Sequence, residues 1–182
     1  TIFEVMSGLA RETGAINLGQ GFPDAHGPSE LIEAAARALR ERSNQYPPMR
    51  GLPELRAAIA SYYARHQGLD LADEEIVVTS GATEALAACI TGLLNPGDEV
   101  ILVQPLYDAY APLAELVGAV PRFVSLAPPD WRLPMEALRA AVTPRTRMIL
   151  LNTPHNPTGS MISAEEFETL AAICVAHDIV LV

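Results

Sequence analysis

Asn152-Thr-Pro-His-Asn-Pro-Thr-Gly159 follows the apolar run Met148-Ile-Leu-Leu151 and precedes a helix that opens at Ser163. The apolar run reads as a buried strand. Prolines at 154 and 157 and a closing glycine continue neither a strand nor a helix. The chain is therefore expected to be held in one rigid polar turn at a strand's C-terminal end. In open α/β sheets that is where ligands bind. Asn156, boxed between His155 and Pro157, would have its amide aimed. Taken alone, the stretch also reads as a Pro-rich connector.

Working outward, the chain alternates. Ile76-Val-Val78 reads as a strand, and Ser80-Gly-Ala-Thr-Glu84 turns into a helix over 85–94. Val100-Ile-Leu-Val103 is a second strand. A helix is expected from Pro105 to near Gly118, then a strand over 122–126 and a short helix over 135–142. Ser163 and Glu166 form a capping box for a helix to Ala176. Ile179-Val-Leu-Val182 is a last strand. Strands alternating with helices predict an α/β fold whose mostly parallel sheet is buried on both faces. Before Glu75 the pattern is helical: a loose segment over 1–14, a helix capped by Ser29 and running to Arg42, and another with Pro53 in its first turn and Gly68 at its end. The apolar faces of the last two would be Leu31, Ala35, Ala38 and Leu39, then Leu55, Ile59 and Tyr62.

The 182 residues carry a net charge of −10 and are 49% hydrophobic. That is ample for a core and lacks the basic patch of a nucleic-acid surface. No apolar run has transmembrane length and no basic-then-apolar leader opens the chain, so a cytoplasmic protein off the membrane is expected. Cys89 and Cys174 fall in apolar helical patterns and read as buried free thiols. His26, His66, His155 and His177 show no metal spacing. Trp131 reads as a packing residue.

Three strand ends carry candidate chemistry. At Gly81-Ala-Thr83 a helix begins, where unpaired N–H groups and the dipole favour a phosphate. Gly81 lets backbone approach, and Thr83, with Ser80, adds hydroxyls. The alternative is a plain helix cap. Tyr107 could stack on a flat ring; the alternative is core packing. Asn156 supplies the aimed amide. Cradle, platform and amide together suit a phosphorylated planar cofactor.

At this point the sequence resembles the fold-type I pyridoxal-phosphate aminotransferases of class I/II. The carriers run the length of the chain: Asn17-Leu-Gly-Gln-Gly-Phe-Pro-Asp24, Asn44-Gln-Tyr46, Gly51-Leu-Pro-Glu-Leu-Arg56, Thr79-Ser-Gly-Ala-Thr-Glu-Ala85, Asn95-Pro-Gly-Asp98, Pro105-Leu-Tyr107 and Asn156-Pro-Thr-Gly159. The Gln-Gly-Phe-Pro-Asp version resembles the methionine/glutamine/kynurenine-type transaminases and their β-lyase relatives. The resemblance implies pyridoxal 5'-phosphate as cofactor, held by Gly81, Ala82 and Thr83 at its phosphate, Tyr107 on its ring and Asn156 at its phenolic oxygen. It implies that Tyr46 reaches the phosphate of a neighbouring subunit, hence a homodimer. Gly21 and Asn156 would meet the substrate carboxylate, and Phe3 would line the side-chain pocket. The Asn156–Pro157 bond would be cis. Residues 1–43 would be the N-terminal arm and first helix of the small domain, and 44–182 the N-terminal part of the large cofactor-binding domain.

All twelve basic residues other than histidine are arginine. The family's Schiff-base lysine, the aspartate at the ring nitrogen and the carboxylate-binding arginine are therefore expected beyond Val182. The chain reads as a piece cut inside its sheet, not active alone. The expected reaction of the full-length homodimer is amino transfer from an L-amino acid, sulfur-containing, aromatic or glutamine-like, to a 2-oxo acid. The alternatives are a β-lyase on the same fold and a non-catalytic sensor domain.

Overall fold

The computed structural model describes residues 2–21, 23 and 25–182. The chain divides into two compact units, Thr1–Pro48 and Met49–Val182.

In the first unit, α1 (Ile2–Thr13) ends at Gly14, whose φ of +67° needs a glycine. Ser7 is the buried residue of α1. It donates to Gln20 Oε1 at 2.9 Å and accepts from Asn17 Nδ2 at 3.0 Å. Those two bonds pin the extended stretch after the helix to α1. The second helix, α2, spans Ser29–Glu41. Its cap is Pro28, not Ser29: the Pro28 carbonyl takes the amides of Leu31 and Ile32, and Ser29 Oγ turns to Glu30. None of its residues is buried. The face expected to be apolar and covered is open to solvent at Leu31 and Leu39.

The second unit opens with α3 (Pro53–Gln67), which starts on its proline and stops at Gly68 in the left-handed region. Its expected apolar face is largely exposed, and its buried residue is Arg56. Arg56 Nη1 donates to the backbone and carboxylate of Asp73, at 3.0 and 2.5 Å, in a short 3₁₀ turn at Asp73–Glu75. The predicted strand over 76–78 does not form. Ile76 is buried, Val77 is exposed, and the Val78 amide bonds to the Arg50 carbonyl. A strand needs a neighbouring ladder, and among the described residues the amides of this segment find only the Asp73 carbonyl, at Ile76, and the Arg50 carbonyl, at Val78.

From there the pattern is regular. α4 (Gly81–Leu93), β1 (Glu99–Gln104), α5 (Tyr110–Leu116), β2 (Val120–Ser125), α6 (Met135–Ala141), β3 (Thr146–Leu150), α7 (Ala164–His177) and β4 (Val180–Leu181) follow in order. The four strands form one parallel sheet in the order β2-β1-β3-β4. Alternate residues of β1 and β3 face opposite ways. Val100, Leu102, Met148 and Leu150 pack with Ile90 and Leu94 of the α4 segment and Ala114 of α5. Ile101 and Ile149 pack with Leu138 of α6 and Leu170, Ile173 and Cys174 of α7. Both faces are covered, which explains why these strands read as continuous apolar runs. The fold is α/β, as the alternation predicted. α5 starts five residues later than expected. Residues 105–109 form a turn instead, entered through a cis Gln104–Pro105 bond. The Ser163–Glu166 capping box is present, with bonds of 2.8 and 3.2 Å.

Candidate active site

All four strands are parallel, so their C-terminal ends share one edge. β1 and β3 are neighbours, and the loops leaving them carry Tyr107 and Asn156. α4 runs into the N-terminal end of β1 through the short turn 94–98. Its thirteen residues match the length of a six-residue strand at the usual rises. Its first turn therefore lies toward the same edge as the two loops. Leu86 of α4 and Tyr110 of α5 pack on one cluster, which ties the helix to the Tyr107 loop.

The α4 start is built as an open cradle. Gly81 has φ +82°, and a Cβ placed on it would meet nothing within 4 Å. Thr79 Oγ1 donates to the Gly81 carbonyl at 3.0 Å, and the Ser80 amide is taken by the Glu84 carboxylate. Ser80 makes no side-chain cap. The next amides, of Ala82 and Thr83, have no intrahelical partner by helix geometry. Main-chain donors, a positive dipole end and free space suit a phosphate. The Ser80 side chain leaves these amides uncapped, and Glu84 takes only the Ser80 amide itself.

The Tyr107 ring packs edge-on to Tyr110, with centroids 5.7 Å apart and planes at 71°. Tyr107 is 38% exposed. Burial, then the neighbouring Tyr107, pushes the Tyr110 phenol above its ordinary range. Tyr107 is thus half free at the edge, and Tyr110 holds it from the core side.

In the 152–160 turn, the His155 amide donates to Ser160 O at 2.8 Å and the Gly159 amide donates to His155 O at 2.7 Å. The Thr153–Pro154 and Asn156–Pro157 bonds are both cis. Asn156 is exposed, and among the described residues its side-chain amide makes no hydrogen bond. A fixed backbone thus carries an uncommitted amide. His155, to which the sequence assigned no part, is buried inside this turn. The signal was there: it sits directly before Asn156, between two turn prolines.

Gly81, Ala82, Thr83, Tyr107 and Asn156 all belong to the second unit. Phe3, Gly21 and Tyr46 belong to the first, where Phe3 lies on α1 and Tyr46 is almost fully exposed. Trp131 lines a cleft with Val103, Leu126, Leu133 and Leu151, in keeping with a packing role. Cys174 is buried and its thiol is pushed up by burial, whereas Cys89 is half-buried. Among the described residues no three His, Cys, Asp or Glu side chains are grouped to hold a metal ion, and no helix is long and apolar enough to cross a membrane.

The family model for aminotransferase class I and II matches residues 13–182. A probable N-succinyldiaminopimelate aminotransferase from Mycobacterium tuberculosis is 49% identical over the whole chain, which covers 47% of that protein. The methionine aminotransferase of Escherichia coli is 45% identical over 98% of the chain and 47% of its own length. The solved structure of the N-succinyldiaminopimelate aminotransferase from M. tuberculosis superposes with a TM-score of 0.95, over 100% of this chain and 48% of that one. The chain spans about half the length of the relatives it matches.

Proposed function

The chain belongs to the class I and II aminotransferases, a pyridoxal-phosphate-dependent family of fold type I, and we propose that the whole protein moves an amino group from an L-amino acid to a 2-oxo acid. One observation carries this reading. The adjacent strands β1 and β3 deliver a half-exposed tyrosine and an uncommitted amide to the edge toward which the open start of α4 points. That donor set fits the cofactor: amides for a phosphate, a ring for a ring, an amide for a phenolic oxygen.

When bound, the cofactor supplies an electron sink for the charge left at the substrate's α-carbon. This chain's residues would do the holding. Gly81, Ala82 and Thr83 bind the phosphate through backbone and hydroxyl. Tyr107 would stack on the ring. Asn156 would donate to the phenolic oxygen and serve the substrate carboxylate, which Gly21 would also meet through its backbone. Tyr46 would serve a second copy of the chain, and so a homodimer belongs to this reading, as does a cytoplasmic location. Residues 1–43 then form the arm and first helix of the small domain, and 44–182 the first part of the large domain. Among described residues of this chain there is no lysine, so the covalent anchor and its proton transfer would come from sequence beyond Val182.

For the amino donor we infer a bulky side chain, sulfur-containing, aromatic or glutamine-like, with Phe3 on the pocket wall. The E. coli relative's name supports this. The M. tuberculosis relative's name supports a second donor, N-succinyldiaminopimelate. The test is purified whole protein, loaded with pyridoxal phosphate, given methionine, phenylalanine, glutamine or N-succinyldiaminopimelate with 2-oxoglutarate. Equal amounts of glutamate and of the donor's oxo product are expected. A thiol, pyruvate and ammonia released from a cysteine S-conjugate offered without an oxo acid would replace transfer by β-elimination. No product from any donor would overturn the reading.

A further inference from the structure

We propose that Asp73 is a positioning residue for the cofactor phosphate: its carboxylate joins Arg56 of α3 to Arg50 of the turn before α3, and the three together fix the segment that runs into the open start of α4. This rests on the cofactor site proposed above. Arg50, Arg56, Asp73 and Gly81 all belong to the second unit.

Arg56 is 7% exposed, and among the described residues its Nε has no hydrogen-bond partner. A buried guanidinium needs an answering charge. Asp73 supplies it: Arg56 Nη1 donates to Asp73 Oδ2 at 2.5 Å and to the Asp73 carbonyl at 3.0 Å. The same Oδ2 takes Arg50 Nη2 at 3.2 Å, and Arg50 Nη1 donates to the Glu74 carbonyl at 3.3 Å. One carboxylate oxygen thus serves two arginines, one buried and one half-exposed.

From this junction the path to α4 is continuous. The Ile76 amide donates to the Asp73 carbonyl at 3.4 Å, and the Val78 amide donates to the Arg50 carbonyl at 3.1 Å. Gly51 abuts Val78 so closely that a Cβ there would lie 2.6 Å from Val78 Cγ2. Arg50 therefore holds the segment twice, by its side chain at 73–74 and by its main chain at 78. Among the described residues no strand pairs with 76–78, so these bonds set its course. Three residues after Val78 comes Gly81. Its amide donates to the Thr79 carbonyl at 2.9 Å, and its carbonyl accepts from Thr79 Oγ1 at 3.0 Å. A donor site works only when its backbone is held in place. Loosening the Asp73 junction would therefore let the Ala82 and Thr83 amides drift from the phosphate.

The test uses the whole protein without cofactor, then with it. In the cofactor-free state, Asp73→Ala should raise hydrogen exchange about tenfold over 76–84, the scale of one or two lost hydrogen bonds. Pyridoxal phosphate should then bind about tenfold more weakly, whereas pyridoxal, which lacks the phosphate, should change less than about twofold. Equal losses for the two ligands would mean that Asp73 serves only the stability of the fold, and would overturn the proposal. Unchanged exchange over 76–84, or unchanged binding of pyridoxal phosphate, would do the same. If Asp73→Ala does not fold, Arg50→Met decides by the same readouts: Arg50 and Asp73 are both part exposed, so losing their pair costs little stability. Wild-type protein that binds pyridoxal phosphate no better than pyridoxal would sink the phosphate role of Gly81, Ala82 and Thr83 instead, and the cofactor-free exchange would still judge the Asp73 link.

Discussion

Arg145 grips Glu99 from outside the sheet: its Nε and Nη2 both reach Oε1, at 3.2 and 2.6 Å. Glu99 is fully buried at the first residue of β1. Arg122 of β2 reaches the same oxygen at 2.8 Å, and Thr143, just before β3, donates to Oε2 at 2.7 Å. One carboxylate thus laces three strands at their N-terminal edge. The candidate ligand residues sit at the opposite edge. Cohesion is thus built at one end of the sheet, and the candidate ligand residues stand at the other.

The lacing makes stability depend on pH. The Arg122 hydrogen bond above all, then Thr143 and Arg145, hold the Glu99 carboxyl down to about 2 against burial, which pushes it up. A lowered folded pKa means the contribution is full above the ordinary carboxylate range and is lost as pH falls from about 4.5 through about 2. Glu99→Gln should lower unfolding free energy at pH 7 by about 1.5–3 kcal/mol, the scale of a charged hydrogen bond. In urea titrations the gap to wild type should narrow steadily toward pH 3. An unchanged gap would show that Glu99 acts by packing alone.

Gly51 has a conformational reason and a spatial one. Its φ is +96°, and a Cβ there would sit 2.6 Å from Val78 Cγ2 and 2.7 Å from Val78 Cβ. Val78 is β-branched and cannot swing its own Cβ aside. Gly51→Ala should therefore destabilise by about 1–3 kcal/mol. Pairing it with Val78→Ala should recover part of the clash but none of the φ strain. A double variant no better than the single would leave the cost with the φ strain and the Cβ contact that alanine at 78 retains.

Ser163→Ala removes one half of the α7 capping box, where Ser163 Oγ accepts the Glu166 amide. A loss of about 1 kcal/mol is expected. Arg132 also bonds Glu166, at 3.2 Å, which keeps that carboxylate in place. Thermal melts of Ser163→Ala and Ser163→Thr check this: threonine should retain most of the stability.

Leu102 is fully buried on the face of β1 that meets α4 and α5. Leu102→Ala should cost about 2–5 kcal/mol by cavity formation. The same truncation at half-exposed Phe123 of the edge strand β2 should cost far less. Equal losses in chemical denaturation would contradict the two-faced core described above.

Much of this architecture was legible before any coordinates. The runs 100–103 and 148–151 were readable because strands buried on both faces are apolar throughout. The Ser163–Glu166 box, Pro53 and Gly68 were readable because capping is decided within a few residues. Ile76-Val-Val78 misled for the same reason that the true strands succeeded. Its composition suits a sheet, but strand pairing is a property of neighbours, and only a loop carbonyl stands beside Val78. The α2 face misled in the opposite sense: periodicity says which side is apolar, not what covers it.

By itself the sequence determined the alternation, the helix ends at Pro53, Gly68 and Ser163, the turn at 152–159 and the absence of lysine in this chain, since these are local or countable. Tertiary structure decided the strand order β2-β1-β3-β4, which sets Tyr107 and Asn156 on adjacent strand ends. It also decided that Glu99 is buried among arginines. Those facts depend on distances between residues far apart in the chain. Only the closing of the sheet, driven by burial of its two apolar faces, brings them within a hydrogen bond of each other.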